Sequence, residues 1–237
     1  MPPETLEFSR RAVLSEWMDE TRSYSELSAC LRDLVKVNRL LRAYWPTLRW
    51  LEQVARTHDG PLHIVDVGCG AGDMLRRIDS WSREKGIAVS LTGIDANPMA
   101  VQTARDWTAG ESCIEWIACQ AADYCPTEPI DLVISSLVTH HLSDAEIVNF
   151  LEWMERNARL GWFINDLNRG RGSYYGFKLL ASAMRWHPFV RHDGPVSIRR
   201  SFTPADWSRY ISEAGLEAGG VHIFKVWPGR LCVSRVK

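Results

Sequence analysis

A glycine-rich loop and three acidic side chains are the residues with the clearest chemical potential in this sequence. Residues 68–72 read Gly-Cys-Gly-Ala-Gly and follow a short apolar run. Glycines at such a turn let the backbone approach a ligand closely. Asp73 stands where a dinucleotide-binding GxGxxG motif needs its third glycine, and the Gly-Lys-Ser/Thr of a phosphate-binding loop is absent. Asp66 would repel a pyrophosphate, so the loop suits a ligand that carries an ammonium or sulfonium group.

Two further acids are assigned to the ends of predicted strands. Asp95 ends the second predicted strand, at 87–95, where a carboxylate can accept hydrogen bonds from both hydroxyls of a ribose. Asp123 is assigned to the end of the third, beside Tyr124, where it can accept from an adenine amino group. Because the carboxyl ends of parallel strands meet at one edge of a sheet, the three acids predict one nucleoside lying across that edge.

His140 and His141 are the first candidates for acid–base chemistry. They follow the fourth predicted strand, at the rim of the predicted cleft, where a general base would meet an acceptor. Only one of two adjacent side chains points easily into a cleft, and we favour His140. In the alternative interpretation, both histidines anchor the loop by hydrogen bonds. His192, in a later insertion, and Asp166, at the end of the fifth predicted strand, are further catalytic candidates.

The loop and its neighbours resemble the class I S-adenosylmethionine (SAM) methyltransferases. The resemblance rests on Val-Asp-Val-Gly-Cys-Gly-Ala-Gly at 65–72, Gly-Ile-Asp at 93–95 and Ala-Ala-Asp-Tyr at 121–124. It implies an α/β fold with a Rossmann-like, mostly parallel sheet of seven strands whose last strand is antiparallel. It also implies SAM as the cofactor and S-adenosylhomocysteine (SAH) as the product. The implied cofactor-binding residues are Asp66, Gly68, Cys69, Gly70, Gly72, Asp95, Ala96, Asn97, Ala122, Asp123, Tyr124 and Ser135.

Within that class, the segments 135–142 and 163–169 look like the branch that contains quinone-biosynthesis and polyketide-tailoring methyltransferases. We therefore predict methyl transfer to a small aromatic, polyketide-like or quinone-like acceptor, at oxygen and with a histidine as general base. C-methylation of a similar acceptor stays open. An RNA or protein methyltransferase and a non-catalytic SAM-binding protein stay open as well.

Motifs of other acceptor classes are missing from the corresponding positions. Ser-Ser-Leu at 135–137 stands where Asn-Pro-Pro-aromatic would mark methylation of an adenine or glutamine amino group. The order of Cys125 and Pro126 is reversed relative to the Pro-Cys nucleophile for cytosine. Magnesium-dependent catechol enzymes use acids after strands four and five. Asp166 could serve, but no acid directly follows strand four, so we predict no metal.

The elements that must position these residues alternate between strand and helix, which favours a parallel sheet with helices on both faces. Residues 1–58 predict an N-terminal helical lid, and residues 59–167 predict the SAM-binding core. An insertion at 168–202, with one amphipathic helix around 177–186, predicts a further part of the lid. Residues 203–237 predict a closing helix and β-hairpin. Aromatic side chains of the two lid segments could line an apolar pocket.

The net charge of −1 conceals an uneven distribution. Residues 61–167 contain 7 basic and 16 acidic residues, whereas residues 168–237 contain 12 basic and 4 acidic residues. The arginines around the insertion could bind a substrate carboxylate or the phosphate of a carrier-bound acceptor, and they are Arg169, Arg171, Arg191, Arg199 and Arg200. No nucleic-acid motif accompanies them, which disfavours a nucleic-acid partner.

Composition also bears on location. No apolar run approaches the ~18 residues that a membrane helix needs. The first residues lack the basic and apolar regions of a secretory signal. The six cysteines form no CxxC pair. We therefore expect reduced thiols in a cytoplasmic protein, and oligomeric state is left open.

Overall fold

In the computed structural model, which describes residues 6–20, 23–108, 110 and 112–237, one seven-stranded sheet is flanked by helices on both faces. The strands are β1 (Leu62–Val67), β2 (Val89–Asp95), β3 (Ile114–Ala118), β4 (Ile130–Ser136), β5 (Ala158–Leu167), β6 (Val221–Val226) and β7 (Arg230–Val236). The helices are α1 (Tyr24–Leu40), α2 (Trp45–Ala55), α3 (Asp73–Lys85), α4 (Pro98–Asp106), α5 (Asp144–Asn157), α6 (Arg171–Ala183), α7 (Pro188–Arg200) and α8 (Pro204–Glu213).

The strand order is β3-β2-β1-β4-β5-β7-β6. Strands β1 to β5 are parallel, and β7 runs antiparallel between β5 and β6. The predicted seven-stranded sheet with an antiparallel last strand is therefore confirmed. Because the strand order reverses between β1 and β4, a crevice opens at their carboxyl ends, which is where open α/β sheets bind ligands.

Alternation along the strands explains the two layers of core. Successive strand side chains point to opposite faces, so Ile64 of β1 packs in the cluster with α2, α3 and α4, whereas Val65 packs with α5 and α8. Capping boxes start α5 at Ser143 and α8 at Thr203. Among the described residues, no helix is long and apolar enough to cross a membrane.

The predicted N-terminal lid at 1–58 divides into two parts with different positions. Helix α1 contacts α4 and α7 beside the crevice. Helix α2 instead joins the core, because its side chains Trp50, Leu51 and Val54 are buried in the same cluster as strand residues of the sheet. Residues 1–5 and 21–22 of that segment lie outside the described residues. The covering part of this segment is therefore α1 and the chain before it.

The insertion at 168–202 contains two helices, α6 and α7, so the prediction of a single helix around 177–186 is wrong. Gly194 and Pro195 lie inside α7 and weaken its helical pattern in the sequence. At Gly194, α7 approaches α6 closely, since a Cβ atom there would overlap the ring of Phe177. Tertiary packing of the two helices thus outweighs the poor local propensity.

Candidate active site

The glycine loop leaves β1 through a turn that only glycine adopts without strain. Gly68 and Gly72 have φ values of 72° and 75°. A Cβ atom would overlap Val138 in the first case and the ring of Trp116 in the second. The N–H groups of Gly68 and Cys69 both donate to the carbonyl of Ile94, at 2.8 and 3.1 Å. These bonds tie the loop to β2 and hold it against the crevice.

Asp95, at the end of β2, is held by two backbone groups. Its Oδ2 accepts from the N–H of Gly70 at 2.9 Å, and its Oδ1 accepts from the N–H of Asn97 at 2.8 Å. Burial raises the pKa of Asp95, and the two N–H groups and the charge of His141 oppose that rise. Each carboxylate oxygen has capacity for a second hydrogen bond. The arrangement can therefore accept the two hydroxyls of a ribose.

The space in front of the carboxyl ends of β1, β2 and β4 is named here the glycine-loop cavity. It measures about 530 Å³, in the range of small-molecule sites. Helix α1 closes one side, because Leu27, Leu31 and Leu34 lie along one helical face. Half of the predicted cofactor-binding residues line this cavity, namely Gly68, Cys69, Gly70, Asp95, Ala96 and Asn97.

The other predicted cofactor-binding residues lie outside this lining, namely Asp66, Gly72, Ala122, Asp123, Tyr124 and Ser135. Asp66 is buried in β1, and its Oδ1 has no hydrogen-bond partner. Burial, with Asp73 and Asp95 nearby, raises the pKa of Asp66 well above its usual value. A buried oxygen without a hydrogen-bond partner costs free energy in the protein alone, and a cationic ligand group would reduce that cost.

Gln120 lines the glycine-loop cavity and is absent from the residues predicted from sequence. Strand β3 ends at Ala118, so the residues that reach the sheet edge are Cys119, Gln120 and Ala121. Asp123 comes five residues after the strand, in a short 3₁₀ turn, and its side chain is exposed. The assignment of Asp123 to the end of the third strand is therefore wrong, and the sequence signal for Gln120 was its position two residues after the last strand residue.

His140 and Asp166 form a buried pair behind the loop that follows β4. The Nδ1 atom of His140 lies 2.7 Å from Oδ1 of Asp166, while Oδ2 accepts from the hydroxyl of Thr139 and the N–H of His140. Burial alone would raise the pKa of Asp166. The charge of His140 and these hydrogen bonds outweigh that effect and lower the pKa to about 2. Asp166 therefore stays ionised and fixes the ring of His140, leaving Nε2 as the nitrogen that faces away.

A second, smaller cavity of about 110 Å³, named here the lid cavity, lies beneath α1 and α7. His140 lines the lid cavity, and His141 lines both cavities. The residues shared by the two cavities are Met18, Leu34, Asn38, Leu137 and His141. Leu137 has a φ of 60°, a conformation that a leucine rarely adopts. Backbone strain is thus located at the junction of the two cavities.

Glu16 is a buried acid that sequence reasoning did not select. Its side chain is 2% exposed, and its carboxylate lies 3.8 Å from Nε2 of His140 and 3.9 Å from Nε2 of His141. Within the described ranges, these three residues form the group whose spacing could hold a metal ion. The hydroxyl of Ser197 donates to Glu16, however, and the guanidinium of Arg200 lies 3.6 Å away. A cation is therefore already present beside this carboxylate.

His192 lies in the lid, outside the linings of both cavities. Its ring stacks on Trp17 with the centroids 3.9 Å apart, and its Nδ1 is 2.7 Å from Asp193. Asp193 also accepts from the N–H groups of Trp17 and Met18, at 2.9 and 3.0 Å. This cluster connects the N-terminal segment to α7.

The arginines singled out by sequence have separate positions. Arg169 donates to the carbonyls of Phe8, Ser9 and Ser201, and Arg200 donates to those of His140 and His141. Arg171 and Arg191 are exposed, and Arg199 is half-buried. Two of the five thus hold the lid together.

Comparison with known proteins agrees with this geometry. A family model described as "Methyltransferase domain" matches residues 64–161. Trans-aconitate 2-methyltransferase of Streptomyces coelicolor is 27% identical over 169 residues, which is 67% of this chain and 52% of that protein. The Streptomyces avermitilis protein of the same name is 27% identical over 178 residues, 71% of this chain and 62% of that protein. The chain thus spans less than two thirds of the length of either relative.

Solved structures share the fold across most of the chain. The plantazolicin methyltransferase BpumL in complex with SAH superposes with a TM-score of 0.65 at 15% identity, covering 93% of this chain and 97% of that one. Human N-acetylserotonin methyltransferase in complex with SAM gives a TM-score of 0.64 at 18% identity, covering 93% and 58%. Residues 64–161 therefore match a methyltransferase domain, and the chain shares its Rossmann-like fold with solved SAM- and SAH-bound methyltransferases.

Proposed function

We propose that this protein transfers the methyl group of SAM to a small aromatic, polyketide-like or quinone-like acceptor bound in the lid cavity. The observation that carries the proposal is the contact between the two cavities. They share a wall at Leu137 and His141, so a donor in the glycine-loop cavity faces an acceptor in the lid cavity. Holding two reactants aligned in this way can supply roughly 7–11 kcal/mol of the barrier.

The cofactor side of the proposal rests on Asp95, Gln120 and Asp66. Asp95 would accept the ribose hydroxyls, and the amide of Gln120 can donate to and accept from an adenine edge. The unpartnered oxygen of Asp66 would face the ammonium group. When bound, SAM supplies an electrophilic methyl group on a sulfonium. The net positive charge of that ligand suits the acidic character of residues 61–167.

His140 is the proposed general base for O-methylation. Asp166 holds Nδ1, so Nε2 can accept the acceptor's proton while the new carbon–oxygen bond forms. A phenol has a pKa of about 10 against about 6.5 for imidazole, a difference worth about 5 kcal/mol. Proton transfer concerted with methyl transfer avoids that cost, and the Asp166 carboxylate stabilises the resulting imidazolium.

The reaction is proposed to need no metal. Glu16, the acid in the metal-like group, is already paired with Ser197 and Arg200. A divalent ion there would be repelled by the guanidinium. The six cysteines are free, which supports the expectation of a cytoplasmic protein.

The test has a binding step and a turnover step. Calorimetry with SAH comes first, followed by SAH formation from SAM on a panel of phenols, hydroxyquinones and 1,3-dicarbonyls, with the methylated atom assigned by NMR. We expect SAH binding and turnover on oxygen nucleophiles, unchanged by EDTA. Failure of SAH to bind would reject the proposal, and methylation only at carbon would reject the histidine-assisted O-transfer.

A further inference from the structure

Arg230 is a buried cation at the substrate end of the sheet. Because β7 is antiparallel, its first residue lies at the edge where the parallel strands end. Arg230 is paired with Leu167 of β5 and with Val226 of β6. Its side chain is 3% exposed and lines the lid cavity.

The guanidinium of Arg230 is poorly satisfied. Its Nη2 donates only a long hydrogen bond, 3.4 Å, to Oδ1 of Asn38, and its buried Nη1 has no hydrogen-bond partner. Over the parts of the chain that the structure describes, no carboxylate lies within ion-pair distance of it. Burial lowers its pKa, with only partial compensation from Asp166. A buried charge without a partner is costly. Binding of a ligand with the opposite charge would therefore explain why Arg230 is buried here.

The route from the surface to Arg230 is positively charged. A groove of about 720 Å³, named here the outer groove, adjoins the lid cavity and leads to the surface. The two spaces share Leu41, Leu167, Phe177, Ile198 and Arg230. Besides Arg230, the outer groove is lined by Arg42 and Lys225 and by no acid. A molecule that enters by this route meets positive charge and then Arg230.

We propose that Arg230 binds a carboxylate of the acceptor and thereby orients the acceptor in the lid cavity. This inference rests on the proposed methyltransferase function. A guanidinium matches a carboxylate through two parallel hydrogen bonds, and Nη1 is available for one of them. Arg230 does not line the glycine-loop cavity. The bound carboxylate is therefore an orienting group, and the methyl-accepting atom lies elsewhere on the acceptor, toward His140.

The test compares hydroxybenzoates with the matching hydroxybenzamides, binding to the enzyme saturated with SAH. For the wild type, we expect at least one hydroxybenzoate to bind 10-fold or more tightly than its carboxamide. Arg230→Met should remove that preference and leave carboxamide binding unchanged, while Arg230→Lys should restore part of it. Lys178→Met, which removes an exposed cation of α6 outside the linings of the three spaces, is the matched control and should keep the preference.

Several outcomes would overturn the inference. One is a wild-type enzyme that binds SAH but shows no preference for any carboxylate, and another is a preference that survives Arg230→Met. If Arg230→Met does not fold, Arg230→Lys provides the test. An unchanged preference for the hydroxybenzoate in that variant would reject the proposed pair of parallel hydrogen bonds to the carboxylate. If the wild-type enzyme does not bind SAH, the proposed methyltransferase function is rejected instead.

Discussion

Gln120 and Asp123 are three residues apart and occupy different environments. Gln120 lines the glycine-loop cavity, whereas the side chain of Asp123 is exposed in the turn after β3. The amide of Gln120 carries both a donor and an acceptor, which match the acceptor and the donor on an adenine edge.

The first prediction separates these two residues. Gln120→Ala should weaken SAH binding by about 5- to 160-fold, because two hydrogen bonds worth ~0.5–1.5 kcal/mol each are lost. Asp123→Ala should change it by less than about threefold. Isothermal titration with SAH measures both. The reverse ranking would return the adenine contact to Asp123.

His140 and His141 are adjacent in the chain but lie at different distances from the cofactor side. His140 is buried against Asp166, and His141 is 27% exposed and contributes to the lining of both cavities. His141 lines the glycine-loop cavity together with Asp95, which places it on the side of the glycine loop. Two neighbouring histidines can therefore have separate roles.

The second prediction assigns those roles. His140→Ala should lower kcat by about 10²- to 10⁴-fold, as expected for loss of a general base, with the KM for SAM nearly unchanged. His141→Ala should raise the KM for SAM more than it lowers kcat. The pH profile of kcat supplies a second readout, since loss of the base should remove its low-pH limb. Equal and mild losses in both variants would contradict the assignment.

At the level of elements, the lid is a composite of distant segments. The chain at 6–20, helix α1 and helices α6 and α7 surround the lid cavity. Arg11 crosses from the N-terminal segment to the carbonyls of His140 and Leu142, and its guanidinium lies 4.5 Å from the ring centroid of Phe202. Asp193 fastens the same segment to α7. The lid cavity therefore depends on contacts between segments that are remote in sequence.

The third prediction tests the contact between Asp193 and the N-terminal segment. Asp193→Ala removes the acceptor for the N–H groups of Trp17 and Met18, and it should lower the free energy of unfolding by about 1–3 kcal/mol. The KM for the acceptor should rise, and protease should cleave the N-terminal segment faster. Arg191→Ala, an exposed change in the same helix, is the control. Unchanged proteolysis and KM would show that the segment is held by other contacts.

At the level of the whole molecule, acidic residues concentrate in the segment 61–167 and basic residues in the segment 168–237. Asp66, Asp73 and Asp95 crowd around the glycine loop, and the first of these is buried with an unpartnered oxygen. Without a ligand, the buried carboxyl group of Asp66 therefore destabilises the folded protein. The same group could interact favourably with a cationic ligand.

The fourth prediction follows from the raised pKa of Asp66. The folded state holds the Asp66 proton at pH values where the unfolded chain has lost it, so this residue makes stability fall as pH rises above about 4 through the folded pKa. Asp66→Asn should therefore be more stable than wild type without ligand, and the difference should grow between pH 4 and pH 8. Each unit of raised pKa corresponds to about 1.4 kcal/mol.

Urea unfolding at several pH values, with and without SAH, measures this. SAH should stabilise the wild type more than Asp66→Asn, because the ammonium partner is lost. Asp59→Asn, an exposed change just before β1, should leave both quantities unchanged. A variant that is less stable at every pH would show that Asp66 has a structural role instead.

Much of the fold could be predicted from sequence because it depends on local patterns. Apolar runs bounded by glycine and proline identified the strands, and Ser143 and Thr203 begin helices as capping residues do. Helix α7 escaped prediction because Gly194 and Pro195 have low helix propensity. Its stability comes from packing on Phe177, which no local pattern contains.

By itself, the sequence determined the sheet and the glycine loop with Asp95, since each depends on residues close together in the chain. Only the tertiary structure decided which side chains line the cavities. Gln120 enters the cavity through the point at which β3 ends, Glu16 reaches the histidines from the N-terminal segment, and Arg230 becomes a buried, unpaired cation because β7 is antiparallel. Burial and pairing are properties of segments brought together by folding, so residue type and spacing alone do not reveal them.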